Sequence, residues 1–143
     1  MVRISTVQDA EQLEVLNNEF NGEGETTLDN IRASLANNKQ EIVVVDEMNG
    51  ELTGFACVQL KKSFCYDDYM PEITEVYVKP QYRRRGVARA MIAYAEECCK
   101  SNYPLHKFEL LTGSENIVAQ NAYKGFGYCE DNEIHLAKRF TRE

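Results

Sequence analysis

Residues 72–92, EITEVYVKPQYRRRGVARAMI, decide the fold of this 143-residue chain. EITEVYVKP reads as a β-strand rich in β-branched and aromatic residues. Three arginines follow, and Gly86 then opens an amphipathic helix reaching about Ser101, with Val87, Met91, Tyr94 and Cys98 at one-face spacing. The first turn of a helix leaves backbone N–H groups without intrahelical acceptors, and the macrodipole adds roughly +0.5 charge there. A glycine at that point lets an anion approach the backbone closely. With Arg83, Arg84 and Arg85 alongside, strand, turn and helix together make a seat for a diphosphate.

Outward from this stretch the chain reads as one run of alternating elements without repeats, low-complexity tracts or linkers, so a single domain over 1–143 is expected. Residues 2–5 form a short strand. Ser5 or Thr6 caps a helix carrying Ala10, Leu13, Leu16 and Phe20. NGEGETT interrupts, and a second helix starts near Thr27 with Ile31 and Leu35 on one face. EIVVVDE and LTGFACVQLKK flank the Asn49-Gly50 turn signal of a β-hairpin. SFCYDDYMP is an irregular tip. After the central helix, HKFELLTG is a strand, residues 116–124 a helix, and FGYCED with EIHLAKRF a closing hairpin around Asp131-Asn132. The order β-α-α-β-β-β-α-β-α-β-β predicts an α/β protein with a mixed sheet and helices on its faces.

Composition narrows the function. A net charge of −7 disfavours duplex nucleic acid as a partner, yet five of the sixteen Lys and Arg fall between Lys79 and Arg89. A local positive spot on an acidic chain suits a small polyanionic cofactor, and the acidic remainder either attracts a cationic substrate or serves solubility. No long apolar run or signal peptide is visible, which points to the cytoplasm and away from a membrane. Five cysteines without a C-x-x-C pair read as free thiols, and two histidines without ligand spacing give no expectation of a metal. A P-loop would need G-x-x-x-x-G-K-S/T, which this chain lacks.

Arg83-Arg84-Arg85-Gly86-Val87-Ala88 matches Q/R-x-x-G-x-G/A, after a V-Y-V strand end and a proline and before an amphipathic helix. Downstream, NIVAQNAYKGFGY carries a matching Asn, Ala, Tyr and Gly-Phe spacing. In these motifs the chain resembles the GNAT superfamily of acetyl-CoA-dependent N-acetyltransferases, most strongly over residues 72–126. The resemblance implies a mixed, mostly antiparallel central sheet with helices on both faces. It also implies acetyl-CoA as cosubstrate, with its diphosphate at Arg83, Arg84, Arg85, Gly86, Val87 and Ala88. Arg89 either reaches a phosphate or is a plain surface arginine. The pantetheine arm would lie where two parallel strands, EVYV and FELL, splay apart. Val76, Tyr77 and Val78 line that opening, with backbone groups of Val76 and Val78 offered to the arm and to the thioester carbonyl.

Catalytic roles follow from the same resemblance. Tyr123 matches the tyrosine that protonates the departing thiolate, a phenol of reference pKa ~10 being suited to the task. Asn116 would face the cosubstrate arm or cap its helix. Glu72 and Glu75 are candidates for the base that takes the proton of the attacking ammonium. Strand alternation places them on opposite faces, and the choice between them, or water, stays open. No histidine or aspartate spacing supports an acyl-cysteine, so attack is expected to be direct, in a ternary complex.

The acceptor would be shaped by EFNGEGETTLDN and FCYDDYM. Glu23, Glu25, Asp67 and Asp68 make these segments acidic, with Phe64, Tyr66 and Tyr69 interleaved. That suits a cationic small molecule, aminoglycoside- or polyamine-like. The alternatives are a protein N-terminus or lysine, and a non-catalytic acyl-CoA sensor. A homodimer is left open.

Overall fold

A computed structural model describes residues 1–141, which fall into two compact units, Met1–Leu111 and the described residues from Thr112 onward. The first unit holds a five-stranded sheet of β1 (Val2–Ile4), β2 (Glu41–Met48), β3 (Glu51–Gln59), β4 (Glu72–Val78) and β5 (Glu109–Leu110), in that spatial order. Neighbours are antiparallel except β4 and β5, which run parallel. Three helices belong to this unit: α1 (Ala10–Asn21), α2 (Leu28–Asn37) and α3 (Val87–Asn102). The second unit contains α4 (Ile117–Gly125). This is the mixed α/β sheet expected from the sequence.

Local signals act where they were read. Asn49 and Gly50 both take positive φ (54° and 82°), as the tight turn between β2 and β3 requires. Thr27 caps α2, its Oγ1 accepting the Asn30 N–H at 3.1 Å. Thr6 stands ahead of a short 3-10 turn, Val7–Asp9, that leads into α1, and its N–H donates to the Asp9 carboxylate at 2.7 Å. Asp9 is buried and held by Arg3 through two parallel bonds of 2.8 and 2.9 Å, which keep its carboxyl below the usual range.

The two sheet faces have separate cores. Leu13 and Leu16 of α1 pack on Val45, Leu52, Phe55 and Tyr77, with Ile31 and Leu35 of α2 joining them. Val44, Ala56, Val58 and Ile73 alternate with these along their strands and are fully buried. α3 packs against β1 to β4. Its buried residues are Met91, Ile92, Ala95 and Cys99, so the stripe predicted through Tyr94 and Cys98 is displaced, and Tyr94 is partly exposed. The small side chains at 95 and 99 let the helix axis approach the sheet, which the bulk of Tyr94 would prevent.

Two strand expectations fail. The run HKFELLTG contributes only β5, two residues long. The closing hairpin is absent among the described residues. Residues 129–141 are extended or irregular and exposed, with Ile134 and Leu136 each at 86%. A strand needs a ladder partner, and a lone two-stranded hairpin is marginal in water.

Gly54 lies where β3 and β4 approach most closely. A Cβ there would sit 2.5 Å from the Tyr77 carbonyl oxygen and 3.1 Å from Val78 Cα, both backbone atoms. Gly54→Ala should therefore cost about 1–3 kcal/mol, as overpacking does. Urea unfolding of the two proteins checks this, and an unchanged midpoint would show that the strands separate without strain.

Candidate active site

β4 carries one surplus residue. Cys57 pairs with Glu75 and Val58 with Ile73, so Thr74 has no register partner on β3 and bulges outward, exposed, its hydroxyl donating to the Cys57 carbonyl at 3.4 Å. The consequence reverses the expectation for the two glutamates. Glu72 pairs with Gln59 and Glu75 with Cys57, which are two apart on β3. Glu72 and Glu75 therefore share a face, together with Tyr77 opposite Phe55.

Their surroundings differ. Glu72 lies 3.1 Å from Lys61 Nζ, and the same ammonium contacts Glu109 across the parallel pair. Glu75 carries no hydrogen bond or cation among the described residues, and burial raises its carboxyl above the ordinary range. Glu41, at the start of β2 on the same face, is raised by burial first and by the nearness of Glu75 as well, while Gln59 Nε2 donates to it at 3.2 Å. Glu41 was not singled out from sequence. It begins the alternation Glu41, Val43, Val45, a signal legible only once its face is known.

Beyond the bulge the sheet opens. β5 pairs with β4 only through Glu72 with Glu109 and Ile73 with Leu110. The Lys79 N–H donates to the Thr53 carbonyl at 2.8 Å, which fixes the phase of β4 against β3. Tyr77 is then turned to β3, and the backbone groups of Val76 and Val78 are directed to the side β5 has left. The Val78 carbonyl there accepts from Arg83 Nε at 2.8 Å.

The arginine turn follows a 3-10 turn, Pro80–Tyr82. Arg84 (φ 63°) and Gly86 (φ 79°) both adopt left-handed backbone, and Gly86 caps α3. The N–H groups of Arg84, Arg85, Gly86, Val87 and Ala88 find no acceptor among the described residues. A Cβ at Gly86 would meet nothing within 4 Å, so the glycine answers to its φ and to open space rather than to packing. Consecutive N–H groups in such a turn form a concave anion seat. The side chains diverge. Arg83 stacks on the Tyr77 ring at 5.6 Å and Arg85 on the Tyr82 ring at 5.7 Å. Arg84 is exposed, as is Arg89 one turn further on.

The proposed acceptor residues sit on two loops. Glu23 and Glu25 are exposed between α1 and α2. Asp67 is exposed and Asp68 half-buried in the β3–β4 connection. Phe20 stacks on Tyr77 at 5.2 Å, which brings the end of α1 to the far end of β4. The β3–β4 connection returns through Met70, whose N–H donates to the Lys61 carbonyl at 2.9 Å, at the Glu72 end. The two acidic segments are thus rooted at opposite ends of that strand.

In the second unit, Asn116 caps α4, its Oδ1 accepting the Ala119 N–H at 3.1 Å. Tyr123 meets Phe126 and Tyr128 edge-on at 6.1 and 6.5 Å. Its hydroxyl carries no hydrogen bond among the described residues, and burial raises its pKa. The cysteines are free. Burial pushes the Cys99 thiol up to about 11 and the Cys57 thiol well above its ordinary value, which suppresses the thiolate an acyl-cysteine would need.

The profile of the acetyltransferase (GNAT) family matches residues 9–128, and the chain belongs to that family of acetyl-CoA-dependent N-acetyltransferases. Its fold is shared by solved structures at low identity. The aminoglycoside acetyltransferase meta-AAC0020 from an uncultured soil metagenomic sample, in complex with sisomicin, has TM-score 0.85 at 11% identity, covering 99% of this chain and 96% of that one. AAC(6')-Iy with a CoA-S-monomethyl-acetylneamine bisubstrate analog has TM-score 0.82 at 18% identity, covering 99% and 98%. The ribosomal-protein-alanine N-acetyltransferase from Brucella melitensis biovar Abortus 2308 has TM-score 0.81 at 15% identity, covering 98% and 99%.

A raised carboxyl pKa has a sign for stability. A carboxyl that is harder to ionise in the folded state favours folding when protonated, and that advantage is lost as pH rises through the folded pKa. At neutral pH the Glu75 carboxylate therefore opposes folding. Glu75→Gln should raise the melting temperature at pH 7 and leave it unchanged below the unfolded carboxyl pKa of ~4.3. Melting curves at the two pH values decide; a loss at pH 7 would show that the carboxylate has a stabilising partner.

Proposed function

We propose that this acetyltransferase passes the acetyl group of acetyl-CoA to a cationic small-molecule amine by direct attack in a ternary complex. The observation that carries the cosubstrate half is the run of five unpartnered N–H groups from Arg84 to Ala88, beside the strand edge at Val76 and Val78. The turn receives the diphosphate. The Val76 and Val78 N–H groups pair with the amide-bearing arm and polarise the thioester carbonyl, one such donor being worth roughly 3 kcal/mol in a transition state. Gly86→Glu puts a carboxylate into the seat. Calorimetry should show coenzyme A binding lost while the circular dichroism spectrum is retained; unchanged affinity in a folded variant removes the site.

Glu75 takes the proton of the attacking ammonium, directly or through water. Its partner-free, raised carboxyl favours it over Glu72, whose charge is engaged by Lys61. Tyr123 is assigned the proton for the departing thiolate on the family motif, and its partner-free hydroxyl agrees with that role. Asn116 is assigned to the cap of α4.

The cationic acceptor rests on the acidic segments at Glu23, Glu25, Asp67 and Asp68, on the charge of −7, and on the likeness to two aminoglycoside acetyltransferases. The likeness to a ribosomal-protein-alanine N-acetyltransferase supports a protein amine as the second reading. A panel of polyamines, aminoglycosides and peptides, followed by thiol release, separates the two. Salt should raise KM for the best small cation, because exposed charges act over ~8 Å at physiological ionic strength. On that substrate Glu75→Gln and Tyr123→Phe should each lower kcat about 10²–10⁴-fold where chemistry limits turnover, with acetyl-CoA affinity nearly unchanged. A peptide or neutral amine as best substrate, or wild-type kcat in both variants, would overturn this reading.

A further inference from the structure

The first arginine of the turn is exposed, yet its guanidinium is engaged by the protein itself. The Arg83 guanidinium donates Nε to the Val78 carbonyl at 2.8 Å and lies 5.6 Å from the centre of the Tyr77 ring. Both contacts are with β4, directly upstream of the turn. The Arg83 N–H bonds Pro80 at 3.3 Å, and from Arg84 onward the backbone leaves its acceptors. Arg83 is thus the last residue of the turn that is tied down before the free N–H groups begin.

Tyr77 is itself fixed from the other side. Its ring is stacked on Phe20 at 5.2 Å and tilted against Phe55 at 6.2 Å, and its hydroxyl donates to Glu19 Oε1 at 2.9 Å. Glu19 and Phe20 are neighbours near the end of α1, so one short segment of that helix orients both the plane and the hydroxyl of the tyrosine. Donation to a carboxylate also enriches the ring in electron density, which strengthens its hold on a cation. The series Glu19, Tyr77, Arg83 therefore runs from α1, across the face of β4, to the arginine turn.

We propose that Glu19 and Tyr77 are positioning residues for coenzyme A, acting through Arg83, whose side chain braces the anion seat and does not itself bind phosphate. This deepens the reading of the turn as the cosubstrate site and rests on it. A brace and a charge predict different chemistry at position 83. A lysine keeps the charge but lacks the planar fork that stacks on an aromatic ring while donating sideways to a carbonyl.

The test is calorimetric titration of coenzyme A into the full chain. Arg83→Gln should weaken binding about two- to fivefold, the scale of a partly exposed cation–aromatic contact, and Arg83→Lys should weaken it as much. Glu19→Gln should weaken it in the wild-type background and add nothing once Arg83 is Gln. Recovery of wild-type affinity in Arg83→Lys would make Arg83 a phosphate ligand and overturn the proposal. So would additive effects in the Glu19→Gln/Arg83→Gln double variant, which would mark Glu19 as acting on the fold at large. Either result leaves the turn as the cosubstrate site, whereas wild-type binding by a folded Gly86→Glu protein removes that reading and the brace with it.

Discussion

The extra residue Thr74 sets the phase of everything downstream of it in β4. A strand of strict period two would carry Glu72 and Glu75 on opposite faces. The bulge turns Glu75 onto the face of Glu72 and Tyr77. It also bends the strand and increases its local twist, as bulges do. Pairing with β5 ends at Ile73, the residue immediately before it. The placement of Glu75 and the open strand edge thus share one origin, a single residue without a register partner on β3.

A second constraint is the burial of charge on one side of the sheet. Glu41 and Glu75 remain on the face that α1 and α2 cover with Leu13, Leu16, Ile31 and Leu35. Burial raises both carboxyls, and Gln59 satisfies only one of them. Such an arrangement opposes folding when both carboxyls are ionised. On the other face, α3 lies against an apolar surface through small residues, and its N-terminus projects the arginine turn from a rigid base.

What the sequence disclosed and what it concealed divide by range. The Asn49-Gly50 turn, the Thr27 cap, the α3 start at Gly86 and the free N–H run behind it were legible, because each depends on residues adjacent in the chain. The face of α3 was misread because apolarity alone favours Tyr94, while close packing favours Ala95 and Cys99. The shared face of Glu72 and Glu75 was hidden because a bulge is a property of two strands. The closing hairpin around Asp131-Asn132 followed a correct local pattern, but a ladder requires a partner. Lys61 had no local signal at all, since its two carboxylates come from β4 and β5.

Lys61 also determines what kind of vertex the strand fork has. At the last point where β4 and β5 still touch, one ammonium lies between Glu72 and Glu109. A fork closed by leucines would respond mainly to temperature and cosolvent through the apolar surface it buries. One closed by an ammonium shared between two carboxylates answers to counterions. Added salt screens both halves of the clasp, so the two strand ends are drawn together less strongly as ionic strength rises. The reach of the opening between β4 and β5 is then an electrostatic quantity, set at the last point where the two strands pair.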